Sequence, residues 1–354
     1  MPPRLSTLYP QVASSSMGNE LIAQKLASST PFIAGRLGTN EICLMALNGS
    51  FAARHMMPHC SGGGFHGTSG IYPETPAMLD EFLKIYVAAV RMLGPNDLLA
   101  SFRDRAKKEL PLFAKFAPQT PIMEAAALAP FFFGSPWSRN LANRTVAIIH
   151  PFAETISCQL RRRSLLFNDP DVLPASTVFK IVPMFQALGR LEPHESWVET
   201  LQASKERIAG AGPFDVAIIG AGSYGMPLAV YIRHELGRSA VVMGGFTQVL
   251  FGIKGERWED KGAGAPKVHR LEHQAGGYWI FPLSADTPRG VVVSRTQGAQ
   301  YFASSRREIL SECPVTVGVS NSSSAVDRTN RARARKRRDD ASVKVEFLET
   351  DYSY

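Results

Sequence analysis

Three features of this 354-residue chain predict an α/β fold, with a Rossmann-like, mostly parallel sheet covered by helices on both faces. Short apolar runs alternate with stretches of helical period, the pattern of successive βαβ units. The run Thr145–His150 is apolar along most of its length, as a strand covered on both faces must be. From Asp215 the chain reads strand, glycine turn, helix, strand, second glycine turn. That order crowds loops at the carboxyl ends of parallel strands, where open α/β sheets bind ligands.

The elements follow in order. Residues 1–18, rich in Pro and Ser, are expected to form a flexible N-terminus ahead of an α/β domain over 19–288. Glu20–Ser28 reads as a short helix, and Pro31–Ala34 as a strand leading into Gly35-Arg36-Leu37-Gly38-Thr39-Asn40-Glu41. Glu41–Phe51 has helical apolar spacing (Ile42, Leu44, Met45, Leu47). Pro58–Gly70 is a loop rich in Gly and His. Pro76–Leu93 is an amphipathic helix stopped by Gly94-Pro95. Asp97–Phe102 is strand-like and Met123–Ala127 a further short element. After the strand Thr145–His150, Thr155–Phe167 reads as a helix with Arg161, Arg162 and Arg163 on its solvent side. Phe179–Val182 is a strand, Glu195–Ala211 a helix ended by Gly212-Pro213, and Val216–Ile219 and Ala240–Met243 are strands. Beyond about Pro288 the chain turns polar, serine-rich and basic, and residues 289–354 read as a low-complexity tail.

Charge and cysteine usage narrow the partners. The formal charge of +8 and pI of about 9.4 suit phosphate-bearing ligands or simply a solvated basic surface. The four cysteines, Cys43, Cys60, Cys158 and Cys313, are scattered without a CxxC, so free thiols in a reducing compartment are expected. No apolar run approaches the ~18 residues of a membrane span, and Met1–Pro31 lacks a secretory pattern. A cytoplasmic location is expected, with Arg331–Arg338 readable as a nuclear signal or polyanion-binding run. That run lacks interleaved aromatic residues, so nucleic acid is not the expected partner.

The turn Gly220-Ala221-Gly222-Ser223-Tyr224-Gly225 fits GxGxxG between a strand and a helix. A dinucleotide site also needs an acid about 20 residues on, at the next strand's end. That strand ends instead in Gly244-Gly245, which counts against an NAD(P)-dependent oxidoreductase. The glycines serve equally to bring backbone close to a phosphate or sugar, or to pack helix on strand. Arg36 could pair with phosphate or with Glu41. Glu41, at a helix start, could hold a metal, act as general base, or simply face the helix dipole. His150, at a strand end, could be an acid or base or a satisfied buried histidine. Lys254 and Arg257 suit a diphosphate leaving group, and Trp258 or Tyr224 could stack on a ring or fill the core. His55, His59, Cys60 and His66 match no zinc spacing.

Three blocks resemble the GT-D type of glycosyltransferases of bacteria and viruses. They are Gly35–Glu41, Ile148–Ile156, and the Gly220–Gly225 turn continued through Gly244–Trp258; Gly277-Tyr278-Trp279 with Pro282 is similar to the end of such domains. The likeness spans roughly residues 20–285. It implies transfer of a sugar from a nucleotide sugar, UDP-linked above all, to a glycan or other hydroxyl acceptor, with Mn²⁺ or Mg²⁺. The family's DxE carboxylates act near metal and diphosphate. Here Thr39 stands where the Asp would be and Glu41 matches the Glu, which weakens the expectation of a metal. By the same likeness Arg36, Gly38, Asn40, Gly220, Gly222, Tyr224, Gly225, Gly244, Gly245, Gln248, Lys254, Arg257 and Trp258 are expected to bind donor, with Glu41 and His150 catalytic. A catalytically degenerate nucleotide-sugar or polyanion binder is the alternative of a different class.

Overall fold

The structure is a computed structural model, and it describes residues 5–47, 64–187, 191–259, 278–288, 310–314 and 345–347. The strands are β1 (Val12–Ala13), β2 (Ile33–Arg36), β3 (Leu98–Ser101), β4 (Ile122–Glu124), β5 (Thr145–His150), β6 (Val178–Pro183), β7 (Val216–Ile219), β8 (Ser239–Val242) and β9 (Val345–Phe347). They form one sheet in the order β1-β4-β3-β2-β8-β7-β5-β6-β9, and all of these pairings are parallel. The helices are α1 (Leu5–Leu8), α2 (Ser15–Ala27), α3 (Thr39–Ala46), α4 (Gly64–Ser69), α5 (Pro76–Arg91), α6 (Ala106–Phe116), α7 (Ala153–Leu160), α8 (Trp197–Gly210), α9 (Gly225–His234), α10 (Gly245–Leu250) and α11 (Glu256–Glu259). None is long and apolar enough to cross a membrane among the described residues.

Alternation along each strand builds two cores. Ile33, Leu99, Ala147, Ile149, Ala217, Ile219, Ala240 and Val242 face α3, α5, α6, α8 and α9. Their neighbours Ala34, Leu98, Val146, Ile148, Val216, Ile218 and Val241 face α2, α7, α10 and the 3₁₀ segments near Ala125 and Trp137. A period of two with both faces apolar requires helices on both sides, as the sequence predicts. Local signals fix the helix starts. Ser14 accepts from the Met17 N–H ahead of α2, Thr75 from Met78 with Pro76 in the first turn of α5, and Ser196 from Glu199 ahead of α8.

Several expectations are corrected. Much of 1–18 is built into the fold: β1 pairs with β4, and the Glu124 carboxylate accepts from the backbone and hydroxyls of Ser6 and Ser15. Within the Pro58–Gly70 loop, Gly64–Ser69 is helical. The segment after β5 is helical only to Leu160, and Arg163 is buried, donating to the carbonyls of Thr177 and Ala175. Val345–Phe347, inside 289–354, pairs with β6, and the expectation of a low-complexity tail stands beside it. The expectation of free thiols fails as well. Cys158 and Cys313, 155 residues apart, form a disulfide, and Cys43 is disulfide-bonded too. Their sequence spacing carries no sign of this, because the pairing is made by the fold.

Candidate functional site

The four central strands β2, β8, β7 and β5 send the chain to opposite faces. β2 and β7 continue into α3 and α9 on one face, and β8 and β5 into α10 and α7 on the other. Each adjacent pair is a topological switch point, and the crevice above their carboxyl ends is where such sheets take ligands. A cleft of about 570 Å³, counted to its open mouth, lies there. Each of the four strands contributes to its wall: Arg36 from β2, His150 through Phe152 from β5, Gly220 through Gly222 with Tyr224 after β7, and Gly244, Gly245 and Gln248 after β8. Ser69 at the end of α4, Gly70 after it, and Phe185 through Ala187 after β6 complete it.

Arg36 ends β2 half-buried, its guanidinium 5.7 Å from the centre of the Phe102 ring. Among the described residues Nη1 reaches the neighbouring Leu37 carbonyl alone, at 3.4 Å. Among the described residues it has no carboxylate at ion-pair distance, Glu41 included. A Cβ on Gly244, which sits at φ +57°, would overlap this guanidinium. Glycine there is thus required twice, by the backbone and by the cation beside it.

His150 is buried, and its ring lies against Gly220, where a Cβ would come within 2.5 Å of Cδ2. Its Nδ1 accepts from the Phe152 N–H at 2.9 Å. Burial lowers its pKa from 6.5 to about 3. The ring is therefore neutral with its proton on Nε2, a hydrogen-bond donor on the cleft wall. This is narrower than the acid-or-base role the sequence suggests, since protonating Nδ1 would break the bond to Phe152.

The glycine turn divides by role. Gly220 and Gly222 line the cleft, and Gly222, at φ +54°, passes 3.2 Å from the Ser69 carbonyl, measured from where a Cβ would be. Gly225 does not line it; a Cβ there would press on Val242, so it serves the packing of α9 on β8. Tyr224 is buried, stacked on Trp197 at 5.3 Å, and donates to the Gly70 carbonyl at 3.0 Å. Its ring is part of the wall rather than a free stacking platform. The start of α9 carries no side-chain cap, so its first N–H groups lie just behind this wall without one.

Other expected residues stand apart from the cleft. Asn40 is buried and donates to Thr68 Oγ1 and Ser69 Oγ at 2.7 and 2.6 Å, so it positions the Ser69 wall. Gly38 packs against the Glu41 carboxylate, which a Cβ at Gly38 would overlap. Glu41 itself is 3% exposed, bonds its own backbone N–H at the start of α3, and is held above the usual carboxylate pKa by burial. It caps a helix that has no side-chain cap at Gly38. Lys254 lies over the Phe281 ring at 5.0 Å, and Trp258 stacks on Phe246 inside the core. The Arg257 side chain, His55, His59, Cys60 and Arg331–Arg338 lie outside what is described. His66 instead bonds the Leu191 carbonyl at 2.9 Å.

Among the described residues, no set fits a divalent metal. Glu41 is folded onto its own helix, and Thr39 Oγ1 accepts from Arg105 Nη1 at 2.8 Å, so a cation already fills the neighbouring position. Among the described residues no group of three His, Cys, Asp or Glu is placed to hold a metal. The wall residues Ser69, Gly70 and Phe185–Ala187 escaped the sequence reading because they follow a glycine-rich helix and a strand end that carry no motif. No family model, no curated protein and no solved structure matches the chain.

Proposed function

We propose that the cleft binds the diphosphate of a nucleotide sugar, and that the protein transfers the sugar to a hydroxyl acceptor. The observation that carries this reading is Arg36, a half-buried guanidinium with no ion pair among the described residues, on the wall of a cleft at the sheet's switch points. A cation desolvated without a partner is costly, and an anionic ligand removes that cost. The glycines at Gly220, Gly222, Gly244 and Gly245 leave room for a phosphate close to the backbone, although the Gly220 and Gly244 N–H groups themselves donate to the Ile149 and Ile219 carbonyls. The resemblance of Gly35–Glu41, Ile148–Ile156 and Gly220–Trp258 to GT-D-type transferases supplies the reaction type. In such a transfer the bond from the sugar carbon to phosphate oxygen breaks and the bond to the acceptor oxygen forms. The acceptor proton passes to the departing phosphate, because neither His150 nor Glu41 is placed to take it. His150 Nε2–H would hold a lone pair of the donor.

A second reading, binding without turnover, is favoured by that same lack of a base among the described wall residues. A screen of UDP- and GDP-sugars separates the two, reading thermal shift and sugar release with the full chain. Stabilisation by one donor with turnover supports transfer; stabilisation without turnover supports the binder. No response to any nucleotide sugar overturns both.

A further inference from the structure

Resting on the transfer reading, we infer that the positive charge facing the donor's diphosphate comes from two guanidinium groups, Arg36 and Arg105, in place of a divalent cation. Both lie against one phenyl ring, Arg36 on the cleft wall and Arg105 beyond its lining: Arg36 is 5.7 Å and Arg105 3.9 Å from the centre of Phe102. Arg105 donates to Thr39 Oγ1, at the position where a DxE motif would carry its first carboxylate. A guanidinium thus stands where a metal would need an anion, and the two cannot share the place.

Arg105 has opposite charge around it from Glu109, Asp104 and Glu41, whereas Arg36 is the cation short of a carboxylate. Glu109 turns Oε1 toward Arg105, 3.7 Å from its Nε, while its Oε2 accepts from Ser101 Oγ and the Phe102 N–H, so one carboxylate is shared between Arg105 and the end of β3. Glu41 is turned into α3. Arg36 has no carboxylate at ion-pair distance among the described residues. Burial first, and then the charge of Arg36, depress the pKa of Arg105. The two cations therefore repel each other, and an anion near both relieves that repulsion. Planar guanidinium groups pair with phosphate oxygens through two parallel N–H bonds, which a diphosphate can accept.

Calorimetric titration of inorganic pyrophosphate into the full chain, in EDTA and then in Mn²⁺, tests this. The expected Kd is the same in both within about twofold. Arg36→Gln and Arg105→Gln should each weaken binding by about tenfold or more, the size of one charge-assisted pair. Thr39→Asp, at an exposed position that does not threaten folding, places a carboxylate on Arg105 and should weaken metal-free binding as well. Binding that requires Mn²⁺, no binding in either buffer, or an unchanged Kd in folded Arg105→Gln or in Thr39→Asp would overturn the inference. Its failure is separable from that of the transfer reading. UDP-sugars bound only with Mn²⁺ remove the guanidinium pair and leave transfer standing. Pyrophosphate bound in EDTA by a chain that binds no nucleotide sugar does the reverse.

Discussion

The Phe152 N–H donates to His150 Nδ1 at 2.9 Å, and this one bond decides which ring nitrogen carries the proton. With a pKa lowered to about 3 by burial, the ring does not titrate near neutrality. Nitrogen-15 spectra should show the Nε2–H tautomer with shifts constant from pH 5 to 8; a titrating ring would remove the donor role. The folded pKa lies below the ordinary 6.5, so folding excludes the proton. The corresponding stability is complete above pH 6.5 and is lost as pH falls toward 3. His150→Asn keeps an acceptor for Phe152 and cannot protonate. Relative to it, the unsubstituted chain should lose on the order of 3 kcal/mol between pH 7 and 4, read from urea midpoints.

Gly244 and Gly220 are positions where a methyl group would strike side chains of the proposed donor site within 3 Å. Gly244→Ala strains a residue at φ +57° and pushes the Arg36 guanidinium aside. Gly220→Ala meets His150 Cδ2 and Thr247. Each should cost about 1–3 kcal/mol of stability by overpacking. Gly244→Ala should also weaken pyrophosphate binding in proportion to the displacement of Arg36. Gly237→Ala, with φ +65° and open space around it, isolates the backbone strain. If the Gly244 and Gly237 variants bind pyrophosphate equally well, Arg36 does not hold the anion.

Much of the architecture was legible because strands buried on both faces are written as apolar runs. Val146–Ile149, Val216–Ile219 and Ala240–Val242 are such runs, and each is a central strand. The cleft was half legible. Arg36, His150 and the two glycine turns lie directly after strands, so topology alone carries them to one edge. Glu41, Lys254 and Trp258 have the right chemistry for the site and the wrong direction, since side-chain aim depends on packing that no local pattern encodes. Arg105 was invisible for the opposite reason: it reaches Thr39 across 66 residues and sits in no motif.

The three consecutive arginines after α7 offer a test of burial against charge. Arg161 is exposed, whereas Arg163 is 9% exposed and donates to the Thr177 and Ala175 carbonyls, its cation over Phe179 at 5.5 Å. Arg163→Ala leaves two carbonyls without a donor and should cost about 2–4 kcal/mol. Arg161→Ala should fall within about 0.5 kcal/mol of the unsubstituted chain. Equal effects in chemical unfolding would return the triplet to a solvated helix face.

The helix that follows His150 is fastened by a distant part of the chain. Asp286 accepts from the N–H groups of Glu154 and Thr155 and from Thr155 Oγ1, capping α7, whose Phe152 makes no side-chain cap. Cys158 on the same helix is bonded to Cys313, with Ile280 and Leu283 packed beside them. Cys313→Ser should cost about 2–4 kcal/mol, since the bond constrains a long loop. A dithiol reductant should do the same to the unsubstituted chain in part, with Cys43 contributing the remainder. Asp286 adds a pH dependence of defined sign. Burial raises its pKa from 3.8 to about 6 despite the bonds it accepts, so folding disfavours its ionised form. Its contribution is most favourable below pH 4 and declines as pH rises through 6, the reverse of His150. Against Asp286→Asn, the unsubstituted chain should lose on the order of 2–3 kcal/mol between pH 4 and 7. Guanidinium midpoints of the two proteins at four pH values decide it: a constant gap would mean that Asp286 ionises as freely in the fold as in the unfolded chain, and that the cap on α7 carries no electrostatic strain.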